Sequence, residues 1–201
     1  MDSIGLYALK PWYAVRLTGI RDWLIRHQVR PNTVSWAGIG FGVAAGAALG
    51  VLPIGWAGVA VGPLLAARLA AANLDGALAR ETGSRTRRGS VLNEVGDRAA
   101  ELAVLAGCFA LAPAWLVLFT MLIASAPSWV SLAGAAAGPE GTRSRINGGP
   151  MGKTERCLLL TVAAIIPGSA TVLLVAIAAG SALTAVLRAR TLFGAAAEDD
   201  A

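Results

Sequence analysis

The feature that most constrains the fold of this chain is a succession of long apolar stretches. About six of them, separated by short polar or Gly- and Pro-containing breaks, run from residue 32 to residue 190. A membrane-spanning helix needs about 20 mostly apolar residues, so these stretches are typical of membrane spans. With 56% hydrophobic and 14% charged residues among 201, little sequence is left for a soluble domain. The sequence therefore predicts an all-α integral membrane protein that forms a single membrane domain over residues 1–201.

The breaks define six predicted transmembrane helices within a bundle over residues 32–190. The predicted spans are 32–51, 54–80, 89–112, 114–136, 155–167 and 169–190. Residues 8–30 mix apolar and basic side chains, which indicates an N-terminal amphipathic helix that lies at the membrane interface. Residues 191–201 end in acidic side chains and are predicted to be a flexible tail.

The basic residues predict the orientation in the membrane. Every second break is positive, whereas the others carry no charge; the positive breaks hold Arg80, Arg85, Arg87 and Arg88, then Arg143, Arg145, Lys153 and Arg156, then Arg188 and Arg190. Because cytoplasmic loops carry the excess of Lys and Arg, both termini and the charged loops are expected in the cytoplasm, with the protein in the plasma membrane. The net charge of +5 thus indicates a membrane surface and not a nucleic-acid partner.

The first predicted span carries glycine at every fourth position. These residues are Gly38, Gly42, Gly46 and Gly50. Because helix positions four apart share a face, the strip lacks side chains and predicts the close approach of another helix.

Polar side chains inside apolar helices are costly and need a reason. The chain carries eight of them: Arg68, Asn73, Asp75, Asn93, Glu94, Asp97, Arg98 and Glu101. Most of the eight cluster where the second span ends and the third begins. On the third span, one face is followed at intervals of four by Gly89, Asn93, Asp97 and Glu101. The facing end of the second span carries Asp75, Gly76, Ala79 and Arg80.

This stretch resembles the CDP-alcohol phosphatidyltransferase family, whose motif runs D-x2-D-G-x2-A-R-x8-G-x3-D-x3-D. The residues that match at the family spacing are Asp75, Gly76, Ala79, Arg80, Gly89 and Asp97. Members typically have six spans and an N-terminal interfacial helix. The resemblance implies an enzyme of phospholipid biosynthesis that moves a phosphatidyl-type group from a CDP-lipid, such as CDP-diacylglycerol, to an alcohol or polyol-phosphate acceptor and releases CMP.

Two motif positions depart from the family, because Ala72 and Asn93 stand where two of its four metal-binding aspartates would be. Asn93 still offers a neutral oxygen to a hard cation, whereas the Ala72 side chain offers none. The segment 92–97 looks like a branch of the family that carries Asn at this site. The resemblance implies a Mg or Mn site formed by Asp75, Asn93 and Asp97, with Asp97 as the general base for the acceptor hydroxyl.

The remaining motif residues are expected to bind substrate. Gly76 and Ala79 lack bulk beside Asp75 and would let a nucleotide approach the helix, while Arg80 can contact a phosphate. Gly89 completes the set by its place in the motif. Tight helix packing is the alternative interpretation for Gly76 and Ala79.

The longest polar connection, residues 138–156, carries four further candidates: Arg143, Arg145, Lys153 and Arg156. In family members that act on phosphorylated acceptors, basic residues of this region bind the acceptor phosphate. The alternative is that they only fix the orientation and attract anionic lipid.

Two other functions stay open from the sequence. A catalytically reduced relative could bind nucleotide or lipid, or act as a partner subunit, because two motif carboxylates are missing. A small transporter would also carry intramembrane charge, but these charges gather near one membrane face. The expected partners are a CDP-lipid, an alcohol acceptor and membrane lipids, without nucleic acid, and the family resemblance adds a homodimer.

Overall fold

The computed structural model describes residues 15–137 and 148–199, and for residues 54, 137 and 195–199 it describes the backbone alone. Within these residues the chain forms helices and no strand. The α-helices are α1 (Thr18–Arg26), α2 (Pro31–Val51), α3 (Ile54–Glu81), α4 (Arg87–Gly107), α5 (Ala114–Ala137), α6 (Lys153–Ile165) and α7 (Ala170–Asp199). The prediction of an all-α fold is confirmed.

Helices α2 to α7 coincide with the six predicted spans, but they differ in apolar length. Within the described ranges, the segments long and apolar enough to cross a membrane lie in α2, α3, α5 and α7: Pro31–Val51, Gly55–Glu81, Ala114–Ala136 and Pro167–Gly194. Helix α4 carries six charged residues, Arg87, Arg88, Glu94, Asp97, Arg98 and Glu101. Helix α6 has only 13 residues, about 20 Å of helix. These findings indicate a membrane protein, whereas the crossing of all six helices stays a prediction.

Helix α2 packs against both α3 and α4 through its glycine strip. A Cβ atom at Gly42 would lie 2.6 Å from the Cβ of Ala100 on α4, and one at Gly46 would overlap the carbonyl oxygen of Ala103. At Gly38 it would lie 3.1 Å from the Cβ of Ala71 on α3. The predicted close approach is confirmed, and it brings together the three helices that form the site.

We expect Gly46→Ala to destabilise the protein and Gly40→Ala, on the same helix, to leave it unchanged or slightly stabilised. The methyl group at position 46 would meet the backbone of α4, which cannot move aside as a side chain can, so a loss of about 1–3 kcal/mol or more is expected. At Gly40 a methyl group would have no heavy atom of the described residues within 4 Å, outside its own helix turn. Thermal unfolding of both variants in detergent micelles measures the difference, and equal melting temperatures would contradict this packing.

Two predicted boundaries need correction. Helix α7 continues beyond the predicted end at residue 190, so residues 191–199 of the predicted flexible tail are helical. Their alanine-rich composition, free of proline, favours continuation of the helix. Helix α1 ends at Arg26, before the predicted end at residue 30, and the φ of 52° at Gln28 breaks the helix; residues 8–14 lie outside the described residues.

Helix α1 lies against the ends of α2 and α3. Leu17, just before α1, and the partly buried Leu24 and Ile25 of α1 belong to an apolar cluster with Leu74 and Leu78 of α3. An ion pair of 2.8 Å between Arg21 and Glu81 adds a contact at the end of α3. The apolar side of α1 is therefore at least partly covered by the protein, while Ile20 and Trp23 stay exposed.

Candidate active site

A narrow cleft opens where α2, α3 and α4 meet. It is lined by Ser35, Gly38, Ile39, Arg68, Ala72, Asp75, Leu92, Asn93, Gly96 and Asp97. A Cβ atom at Gly96 would overlap the end of the Ile39 side chain, which would have to shift to make room for it. Small residues on all three helices thus let the backbones approach and leave polar side chains around a narrow space.

Asp75 is held rigidly on the α3 side of the cleft. It is only 4% exposed, and its Oδ2 accepts a hydrogen bond of 2.7 Å from the Ser35 hydroxyl. The backbone N–H of Gly76 donates to Oδ1 at 2.6 Å. Because both oxygens have fixed donors, the carboxylate has a defined orientation before any ligand enters.

Asp97 joins three helices at the opposite wall. Its carboxylate forms an ion pair with the ammonium group of Lys153 at the start of α6, and its backbone carbonyl accepts a bond of 3.0 Å from Arg68 on α3. The Asp97 side chain is 21% exposed. It is therefore both anchored in the protein and accessible from the cleft.

One turn beyond Asp97, a buried ionic cluster fastens α4 to α6. Glu101, 6% exposed, is paired with Arg98 at 2.7 Å and with Arg156, which is 5% exposed. Arg156 also donates to the carbonyl oxygen of Met151 at 3.3 Å. Since Met151 lies just before α6, the cluster fixes the helix start that carries Lys153.

The predicted metal ligands Asp75, Asn93 and Asp97 all line the cleft, and Ala72 lines it as well. The other motif residues, Gly76, Ala79, Arg80 and Gly89, are not part of the cleft lining. Gly76 and Ala79 follow Asp75 on α3, and a Cβ atom at Gly76 would lie 3.3 Å from a guanidinium nitrogen of Arg80.

Gly89 lies at the first turn of α4, where its N–H donates to Thr86 at 3.0 Å and a Cβ atom would lie 2.9 Å from the side-chain oxygen of Asn32. It therefore allows the starts of α2 and α4 to approach. Arg156 contacts protein groups and is absent from the cleft lining. Arg143 and Arg145 lie outside the described residues.

Two contacts of the site were not predicted from the sequence. The hydroxyl of Ser35 donates to the carboxylate of Asp75, and the guanidinium of Arg68 donates to the backbone carbonyl of Asp97. Arg68 gave a signal, because a charge inside an apolar span needs a partner. Ser35 gave none, since a serine close to a helix start is common at caps and turns.

The donor atoms in the cleft suit a hard divalent cation. The described ranges contain no cluster of three or more His, Cys, Asp or Glu residues in a metal-binding arrangement. Two carboxylates and the amide of Asn93 nevertheless face one cleft, and oxygen ligands of this type are those that Mg and Mn prefer. By donor type the residues fit one such ion, whereas a pair of ions would need more ligands.

Comparison with known proteins assigns the chain to a class. The family model for CDP-alcohol phosphatidyltransferase matches residues 28–187. The chain therefore belongs to the CDP-alcohol phosphatidyltransferase family, and it is a membrane enzyme that transfers a phosphatidyl-type group from a CDP-linked lipid. The resemblance read from the motif is confirmed, and the family uses divalent metals.

Among curated relatives, the Inner membrane protein YnbA of Escherichia coli K12 is 30% identical over 156 residues, covering 77% of this chain and 76% of that protein. The phosphatidylinositol phosphate synthase of Mycobacteroides abscessus is 33% identical over 153 residues, covering 72% of this chain and 66% of its own. The chain thus spans about two thirds to three quarters of these relatives.

Solved structures share the fold. The Mycobacterium tuberculosis phosphatidylinositol phosphate synthase with CDP-DAG bound has a TM-score of 0.69 and 25% identity, covering 88% of this chain and 92% of that one. The same enzyme in complex with manganese and citrate has a TM-score of 0.70 and 24% identity, with 88% coverage of both chains.

Proposed function

We propose that this enzyme takes the phosphatidyl group from CDP-diacylglycerol or a similar CDP-lipid and transfers it in the α2–α3–α4 cleft to a polyol-phosphate or other alcohol. The observation that supports the proposal most is the meeting of Asp75, Asn93 and Asp97 at one cleft, from two helices whose motif spacing is that of the family. The similar M. tuberculosis structure with CDP-DAG supports the choice of donor.

In the proposed reaction, Asp97 acts as the general base. The acceptor hydroxyl oxygen attacks the lipid-bearing phosphorus and forms the new P–O bond, while Asp97 takes the hydroxyl proton. The bond from that phosphorus to the bridging oxygen breaks, and its electron pair leaves on CMP. The exposed edge of the Asp97 carboxylate allows an acceptor to reach it, and Lys153 beside it would orient the acceptor oxygen.

Asp75, Asn93 and Asp97 are the proposed ligands of a Mg or Mn ion. Such an ion neutralises negative charge on phosphate oxygens when bound. The contribution of the chain is to hold the ligands still: Asp75 is fixed by Ser35 and Gly76. Fixed ligands need no reorganisation as the reaction proceeds.

The substrate groups are proposed to bind on two sides of this centre. On the donor side, Gly76, Ala79 and Gly89 leave room for the nucleotide, and Arg80, which is exposed beside Gly76, contacts a phosphate. On the acceptor side, Lys153 and the loop residues Arg143 and Arg145 contact a phosphorylated acceptor. Arg156 serves instead by positioning Lys153 through its pair with Glu101.

A phosphorylated polyol is the acceptor we favour, because the mycobacterial relatives are named phosphatidylinositol phosphate synthases. The test supplies CDP-diacylglycerol to the purified chain in mixed micelles with Mg or Mn and measures CMP release. Polyol phosphates are compared with the same polyols lacking phosphate. CMP release that requires an acceptor supports the proposal, and its absence with every acceptor and both metals would defeat it.

The protein is further proposed to cross the plasma membrane six times, with α1 at the interface, as a homodimer with both termini and the active site in the cytoplasm. The positive charge of alternate breaks supports this orientation. We expect Ile54→Cys and Ser144→Cys to react with an impermeant thiol reagent from opposite sides, in a background free of Cys108 and Cys157. Labelling of both from one side would contradict the topology.

A catalytically reduced relative is the second candidate, and the specific observation in its favour is the loss of two carboxylates at Ala72 and Asn93. The double variant Ala72→Asp/Asn93→Asp distinguishes an adapted enzyme from a catalytically reduced relative. An adapted enzyme should change its preference between Mg and Mn with little gain in CMP release. A silent parent beside an active double variant would favour the reduced relative.

A further inference from the structure

Arg68 is a buried cation that faces the proposed active site and forms no ion pair with an acidic side chain of the described residues. It lies in the interior of α3, is 2% exposed and lines the cleft. One terminal nitrogen donates to the carbonyl oxygen of Asp97 at 3.0 Å and the other to the sulfur of Cys157 at 3.4 Å. Its Nε has no hydrogen-bond partner within residues 15–137 and 148–199.

The carboxylates around Arg68 are already engaged. Glu101 is paired with Arg98 and Arg156, and the Asp97 side chain is paired with Lys153. Asp75 accepts from Ser35 and from the backbone of Gly76. An uncompensated buried charge costs several kcal/mol, so a guanidinium that no carboxylate of residues 15–137 and 148–199 neutralises favours the binding of a ligand anion.

Ala72 makes room for such an anion. It lines the cleft one helical turn from Arg68, and residues four apart on a helix lie within reach of each other. A carboxylate at position 72 would be close enough to pair with the guanidinium. With a methyl group there, Arg68 stays available to a ligand.

We infer that Arg68 is a phosphate-binding residue at the inner end of the cleft, where it contacts the diphosphate of the CDP-lipid and neutralises the charge that gathers on CMP as the P–O bond breaks. The inference rests on the proposed function. A guanidinium presents planar, forked donors that match phosphate oxygens, and a contact made in a water-poor cleft is strong. Its bond to the backbone of Asp97 places the bound phosphate beside the general base.

The binding of soluble nucleotides isolates this contact from turnover. Calorimetry on the full chain in detergent micelles, first with EDTA and then with Mn, compares CDP with cytidine. Arg68→Gln should weaken CDP binding about 10- to 100-fold, the loss expected for one charge-assisted contact, and leave cytidine binding unchanged. Arg68→Lys should retain part of the CDP affinity. Arg26→Gln, which removes an exposed arginine of α1, is the control for total charge.

Ala72→Asp gives a second route that leaves Arg68 in place. The new carboxylate should pair with Arg68, so CDP affinity in EDTA should fall towards that of Arg68→Gln, and combining the two changes should add little further loss. Unchanged CDP affinity in Ala72→Asp would overturn the inference. This test still applies if Arg68→Gln does not fold.

The outcomes separate this inference from the proposed function. If the parent releases CMP while Arg68→Gln binds CDP as the parent does, Arg68 only supports the backbone of Asp97 and the inference fails alone. If CDP binding depends on Arg68 but the parent never releases CMP, the phosphate site stands and the proposed reaction fails.

Discussion

Replacing Asp97 with asparagine is expected to lower CMP release by about 10²- to 10⁴-fold, the usual contribution of a general base. The amide has nearly the same shape, its oxygen can still accept from Lys153, and the backbone bond from Arg68 is unaffected. CDP-lipid binding should therefore change much less than turnover. Steady-state CMP release and equilibrium binding of the CDP-lipid, measured on the same preparation, give the two quantities.

Asp22→Asn is the matched control, because Asp22 lies on α1 with a side chain that is 52% exposed and pairs with the neighbouring Arg21. It should retain the turnover of the parent. Near-normal turnover in Asp97→Asn would remove Asp97 from the mechanism. An equal loss of binding and turnover would make Asp97 chiefly a metal ligand.

Truncating Glu101 is expected to destabilise the fold by about 3–5 kcal/mol, because Glu101→Ala leaves the buried Arg156 without its carboxylate. Unfolding of the variant by denaturant in detergent micelles measures the loss. Turnover should fall as well, since Arg156 holds the backbone just before α6 and so places Lys153 against Asp97.

Two variants test whether the loss comes from an unpaired buried charge. Glu101→Met/Arg156→Met removes both charges of the buried pair, so it should lower the free energy of unfolding clearly less than Glu101→Ala, which leaves Arg156 charged and unpaired. The other partner of Glu101, Arg98, is 23% exposed, so its charge is not fully buried when Glu101 is lost. Glu81→Ala breaks an exposed ion pair with Arg21, for which about 0–1 kcal/mol is expected. A loss in Glu101→Ala no larger than in Glu81→Ala would contradict the proposed role of the cluster.

Much of the helix pattern could be predicted from local sequence. Pro31 fixes the start of α2, as expected for a proline in the first turn, and the break at Pro53 separates α2 from α3. The apolar stretches predicted the remaining helices to within a few residues. The ends of α1 and α7 were less accurate, because amphipathic and alanine-rich segments carry no sharp stop signal.

The candidate site, like the helix pattern, could be predicted only in part from the sequence. The spacing of Asp75, Gly89 and Asp97 identified the family, since its motif lies in two helices adjacent in sequence. The spacing did not reveal what each carboxylate contacts. Arg156, predicted as a substrate contact, proved to be buried against Glu101, which depends on how α6 packs on α4.

The sequence by itself determined the class of the protein, the positions of its helices and the residues of the motif, because hydrophobic length, helix periodicity and motif spacing are local properties. Only the tertiary structure decided the partners of those residues. Ser35 meets Asp75 across 40 residues and Lys153 meets Asp97 across 56, while Arg68 reaches the backbone of Asp97 across 29. Such contacts depend on helix rotation and on the close approach that the glycines of α2 allow, and neither is set by the spacing of residues along one segment.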